Sequence, residues 1–263
     1  MGDAENMTLL SDTRYIFVRF LLKLIRNPIL LFFSLFQPII FLVLFTQLLT
    51  NLSKFPGILP SGVSYLEFAT AGILLQNAFG SALQSGNSIV FDIDSGFLQK
   101  MLVTQVRRPA ILLGRLASDA FRVVVQSAII LALAYVQGAY VTTGIVGILL
   151  IFFTIAFFGL AWSGISLAIG MKTRSSETVF AIGGFITFPL LFLSPALFPI
   201  SFLPDWVQTV SMFNPVSYAI NAIRALMITG FDWVTIIPAW GVIGLVAIVT
   251  LGATLYQFRK VVS

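Results

Sequence analysis

The chain reads as an all-α integral membrane protein with six transmembrane helices, and three observations predict this. Its 263 residues are 58% hydrophobic and only 10% charged, where soluble domains carry about 25% charged residues. With a mean hydropathy of +1.01, such a chain cannot hide its surface from water, so the bilayer is its solvent. Its apolar residues fall into about six segments of roughly 20 residues, the length that crosses a hydrocarbon core. Its Lys and Arg residues then gather on alternate connections between those segments. A single transmembrane domain covers residues 1–263.

Residues 8–27 form the first element, an amphipathic helix. Thr8, Asp12, Tyr15, Arg19, Lys23 and Arg26 share a stripe about 80° wide at 100° per residue. Most of the remainder is Leu, Ile, Phe and Val. Such a helix lies in the membrane interface. Its stripe either meets lipid headgroups or docks a cytoplasmic partner, and the two roles are compatible.

The first span, 29–49, follows Pro28, which suits a first-turn position. The second, 65–90, carries Thr70, Asn77, Ser81, Gln84 and Ser88 on one face. Amides in hydrocarbon are costly unless paired or wet. The stripe is therefore either glue between helices or the lining of a pathway. Glu67 is near the outer end of this span, and no acidic residue lies deep within it.

Residues 94–106 follow. Asp94 or Ser95 is expected to cap a helix starting near Phe97. Phe97, Leu98, Met101 and Leu102 form its apolar face, opposite Gln99, Lys100 and Thr104. The helix stops before Pro109, which disfavours helical geometry at Arg108. The ridge fits a groove in a partner or lies on lipid, and the pattern leaves both open.

Spans at 111–136, 144–171 and 178–198 come next. The connection after them, 193–230, is too apolar for a water-exposed loop and is broken by Pro195, Pro199, Pro204 and Pro215. Pro204 and Pro215 each open a short helix, and Asn214 caps the second. Two re-entrant helices over 201–229 would form a plug or rim, because irregular backbone survives at membrane depth only inside protein or around a wet cavity. Arg224, the cation of this segment, is a candidate for outer headgroup contact. The last span is 236–258.

Basic residues fix the orientation. Arg14, Arg19, Lys23 and Arg26 precede the first span, and Lys100, Arg107 and Arg108 follow the second. Lys172 and Arg174 separate the fourth and fifth spans, and Arg259 and Lys260 follow the last. Lys54 and Arg224 stand alone on the other side. Both termini and the 94–106 helix are therefore expected in the cytoplasm. The N-terminus does not read as a cleavable signal peptide.

The chain has no Cys and no His, which excludes disulfides, Cys or His metal sites and histidine-dependent catalysis. The net charge of +5 reads as a topology signal, so nucleic acid is not an expected partner. The phosphate-loop pattern G-x-x-x-x-G-K-[ST] is missing. The chain is not an enzyme by itself, and ATP-driven work must come from another chain.

Four features resemble the permease subunit of ATP-binding-cassette exporters, in the branch that includes daunorubicin-type drug exporters and polysaccharide exporters. They are IRNPILLFFSLFQPIIFLVLF at the first span, DSGFLQKMLVTQVRRPAILLGRLASD after the second, FPISFLPDWVQTVSMFNPVSYAINAIR on the outer side, and the six-span layout with both ends inside. The third is the most specific, with LP-x-W, then NP, a Tyr and a terminal Arg.

The resemblance implies a permease dimer, a homodimer in the simplest form, in the cell membrane above two copies of a separate ABC ATPase subunit. ATP and Mg would be bound by that ATPase, and this chain would hold no cofactor. Asp94, Gly96, Phe97, Leu98, Lys100, Met101 and Leu102 would form the coupling helix seated in the ATPase. Pro204, Trp206, Asn214, Pro215, Tyr218 and Arg224 would belong to the outer gate. Phe36, Asn77, Phe79, Ser81, Gln84 and Phe192 are candidates for the pathway lining. The alternative is an ATP-independent channel or secondary transporter, which would need its own intramembrane carboxylate. Asp119 is the best candidate, but its spacing from Arg115 and Arg122 favours a local ion pair.

Overall fold

The computed structural model describes residues 2–49, 51, 59, 62–104 and 106–262. Among them are ten α-helices and no strand. They are α1 (Gly2–Ile25), α2 (Pro28–Leu48), α3 (Tyr65–Asp94), α4 (Phe97–Leu102), α5 (Arg108–Val136), α6 (Gly144–Thr173), α7 (Ser176–Phe192), α8 (Asp205–Ser211), α9 (Pro215–Arg224) and α10 (Trp233–Val262). Lys54 and Gln105 lie outside the described residues, as does the side chain of Thr8.

α5, α6 and α10 are long and apolar enough to cross a membrane. α2 and α7 are shorter apolar helices. α3 is as long as α6, at 30 residues, but amides and hydroxyls dilute its hydropathy.

Local chemistry sets several boundaries. Ser64 and Glu67 cap the start of α3 reciprocally, each side chain taking the other's backbone N–H. α3 then continues past Val90 to Asp94. α7 stops at Phe192, short of the expected Phe198. Pro195 disfavours helix at Ser194, whose hydroxyl instead bonds Leu191 O at 2.6 Å. α10 starts at Trp233, ahead of the expected Ile236, because Asp232 accepts from Val234 N at 3.2 Å and from the Thr235 hydroxyl at 2.6 Å.

α3 is the central helix, packing on α2, α5, α6, α7 and α9. Glycine permits its closest approaches. A Cβ on Gly72 would lie 2.1 Å from Ala196 O, and one on Gly170 would lie 2.7 Å from Gly86 O. Small residues let helix backbones meet in this way. Phe79 of α3 stands edge-on to Phe158 and Trp162 of α6, with ring centres 5.1 and 4.8 Å away.

α6 and α10 are clasped by polar side chains. Thr250 and Thr254 donate to Ala161 O and Gly164 O, each at 2.7 Å, and Trp240 Nε1 donates to Thr154 at 2.9 Å. Gly164 meets Thr250, and Gly159 meets Val123 of α5. These small residues serve packing within the chain.

A separate apolar cluster sits at the end of the molecule bearing α1 and α4. Ile16 and Phe20 of α1 join Leu98, Met101, Ile89, Ile111 and Phe258 there.

Candidate functional site

The polar stripe of α3 opens onto a cavity of about 290 Å³ between α2, α3, α5 and α7. Of the expected lining, Asn77, Phe79, Ser81 and Gln84 border it. Phe36 and Phe192 do not. Both are exposed on the outer surface of α2 and α7, where Phe36 packs on Phe32 and Phe33, and Phe192 on Phe188. That surface has the same composition as a cavity wall, so their aromatic character did not distinguish the two.

Sequence reasoning missed the wall contributed by α5, Arg122 and Gln126. With Asp119 they follow the i, i+3, i+7 spacing that exposed the stripe on α3. Gln126 Nε2 donates to Ser34 of α2 at 2.8 Å. Its Oε1 is buried without a hydrogen-bond partner among the described residues, as is Asn77 Nδ2, and Asn77 and Gln126 are only 4% and 3% exposed. A buried amide left unmatched costs about 1–3 kcal/mol, so these two are groups awaiting a partner.

A second cavity, of about 350 Å³, adjoins the first and shares Gln84 and Arg122 with it. Charge pairs surround it. Arg122 Nε and Nη2 donate to Ser81 Oγ at 2.9 Å and Ser81 O at 2.6 Å, and Nη2 pairs with Asp119 at 3.1 Å. The Ser85 hydroxyl donates to the other Asp119 oxygen. The local pair expected at Asp119 forms on the Arg122 side only. Arg115 instead reaches Asp92 at 2.8 Å and Ser85 O at 3.3 Å, and Lys23 joins Asp92 at 3.4 Å.

The apolar ridge of α4 faces inward, which corrects the expectation that a partner holds it. Leu98 is 0% and Met101 6% exposed, both within the chain's own apolar cluster. Phe97 and Leu102 are half-buried against it. Arg19 covers Phe97, 3.4 Å from the ring centre, and its Nη1 reaches Met101 Sδ at 3.6 Å. Burial lowers the Arg19 pKa from its ordinary value, Asp92 raises it and Arg115 lowers it further. Asp94 and Ser95 do not cap this helix. Its N-cap is Gly96, at φ +67°, a conformation costly for other residues. The face left outward carries Asp94, Gln99, Lys100 and Val103.

The stripe of α1 is likewise turned partly onto the protein. Asp12 accepts from Arg107 N at 3.2 Å, and Arg19 and Lys23 have the partners given above. Tyr15 is exposed.

At the opposite end, Pro204 is the N-cap of α8 and Pro215 opens α9. Asn214 caps α9 through Val216 N at 3.0 Å and also donates to Leu190 O at 2.6 Å, fastening α9 to α7. Trp206 is exposed. Tyr218 and Arg224 border a pocket of about 560 Å³ there. Arg224 is no headgroup contact. It donates to Pro195 O at 2.6 Å and Phe68 O at 3.3 Å, and lies 3.6 Å from the centre of the Phe68 ring.

Residues 11–228 match the ABC-2 type transporter family. The chain is 28% identical over 252 residues to ycf38 of Pyropia yezoensis, named a transport permease, covering 93% of this chain and 84% of that one. It is 29% identical over 200 residues to the daunorubicin resistance ABC transporter permease protein DrrB1 of Streptomyces coeruleorubidus, covering 76% and 69%. With nodulation protein J of Rhizobium leguminosarum bv. trifolii it shares 30% identity over 169 residues, covering 64% and 63%.

Proposed function

The chain belongs to the ABC-2 type transporter family, and from that premise we propose that it is the membrane-spanning subunit of an ATP-driven exporter. The observation that carries this reading is the cavity beside α3. It is walled by α2, α3, α5 and α7, and two of its wall residues, Asn77 and Gln126, each carry a buried amide atom with no partner among the described residues. Substrate passes along this wall between two copies of the chain, in the cell membrane, with both termini in the cytoplasm. Two copies of a separate ATPase subunit bind ATP and Mg and hydrolyse the nucleotide.

Each ATPase pushes on α4, and the drive is its differential affinity for two membrane states. The inward packing of Leu98 and Met101 refines this picture. α4 is built into the permease by its ridge, so the ATPase meets the outward face of Lys100 and Val103. A push there passes directly to α1, α3 and α5, which hold the ridge.

A secondary carrier would need a titratable carboxylate facing its pathway. Asp119 and Asp92 are instead tied to arginines, which favours the ATP-driven reading. Affinity purification of the tagged chain from its native membrane, followed by transport in proteoliposomes, tests it. A co-purifying Walker-type ATPase and ATP-dependent transport are expected. Robust transport by the chain alone, without ATP, would overturn the proposal.

A further inference from the structure

We infer that the cavity beside α3 selects organic acids carrying an apolar body over organic bases with the same body. The inference rests on reading this cavity as the substrate pathway. Arg122 is the one charged residue among the described residues that border it. Its Nε and Nη2 are held by Ser81 and Asp119, while Nη1 has no hydrogen-bond partner among the described residues. The Asp119 carboxylate borders the adjoining cavity instead and is occupied by Ser85 and Arg122.

Behind this wall, Arg19, Lys23, Arg115 and Arg122 face Asp92 and Asp119. Four cations against two carboxylates leave the field at the shared mouth of the cavities positive. Asn77 borders the same wall. Its buried Nδ2 lacks a partner, and it lies one turn before Ser81, the residue that holds Arg122.

The rest of the wall is apolar, with Phe33, Phe79, Phe188 and Leu191. A carboxylate or phosphate set among such groups is costly unless N–H donors meet it. Arg122 Nη1 is such a donor. An ammonium group would meet a like charge and no carboxylate. The volume suits a body of drug size. The ligand is thus an acid group on an aromatic or aliphatic body, supplied either as a free organic acid or as an anionic lipid.

The test uses the full chain in phosphatidylcholine nanodiscs, with pyrene-butyrate and pyrene-butylamine as fluorescent probes. The acid is expected to bind about tenfold more tightly than the amine, or about 1.4 kcal/mol. R122Q should abolish the preference and R122K should keep it, which separates loss of charge from loss of fold. Equal or tighter binding of the amine, or an undiminished preference in R122Q, would overturn the inference. Adding phosphatidylglycerol to the discs identifies the source. Displacement of pyrene-butyrate marks a lipid acid and its retention a free one, and both support recognition of an acid. ATP-driven movement of the probes is measured separately with the ATPase present. Preferential binding of the acid without such movement removes the pathway reading and leaves the site. Movement without preference does the reverse.

Discussion

The Arg19 guanidinium lies 3.4 Å from the centre of the Phe97 ring, joining α1 to α4 across 78 residues of chain (97 less 19). Half-shielded from water, such a cation–π contact contributes about 0.5–2 kcal/mol. R19A and F97A should therefore be non-additive, with a coupling of about 1 kcal/mol in a double-mutant cycle read by thermal unfolding in detergent. Strict additivity would mean that the two side chains are neighbours without being partners.

The two faces of α4 should respond differently. Met101→Asp places a charge in the apolar cluster and should cost the folded chain itself, at about 3–5 kcal/mol. Lys100→Glu and Val103→Asp lie on the outward face, Val103 being 87% exposed. They should leave yield and thermal stability within about 0.5 kcal/mol while weakening capture of the ATPase in a pull-down. Intact capture by both outward variants would move the docking surface elsewhere.

Asp92 and Arg115 are 2.8 Å apart, and their side chains are only 2% and 3% exposed. Removing one member of a buried pair strands the other charge, at about 3–5 kcal/mol. Asp92→Leu alone should lower folded yield sharply, and Arg115→Met in the same chain should restore much of it. Size-exclusion profiles of the single and double variants read this directly. A double variant as poor as the single one would mean that packing dominates over charge.

Asn77→Leu and Gln126→Leu remove the unmatched amide groups from the cavity wall. Asn77→Leu should raise stability by about 1 kcal/mol, the desolvation cost of an orphaned polar group, and Gln126→Leu by less, because it also breaks the bond to Ser34; both should reduce substrate transport. Gain in one and loss in the other is the trade expected of a functional site. Stabilisation with transport undiminished would reduce the two amides to packing defects.

Much of this was legible in the sequence. Pro and Asn placed α9 correctly, because caps and first-turn prolines act locally. The stripe on α3 was equally clear, since amides stand out against a hydrocarbon background. What covers a face was not legible. The Phe97–Leu102 ridge could be read, but the cover supplied by Ile16, Phe20 and Ile111 depends on packing between distant segments. Phe36 and Phe192 are a related case, since aromatic side chains suit an exposed helix face and a cavity wall equally well, and within the chain they lie on the former. Arg122 was seen only as half of a local pair, because the sequence could not show that Ser81 of another helix would hold it beside the cavity.

The clasp between α6 and α10 has a mechanical consequence. Thr250, Thr254 and Trp240 fasten these two helices at successive levels, and the glycine contact of α6 with α3 adds a third strut. The cavity lies on the other flank, where Gln126 and Ser34 join α5 to α2 on its wall and Trp162 joins α6 to Thr187 of α7. Three side-chain hydrogen bonds join α6 to α10, so separating these two helices would break all three at once.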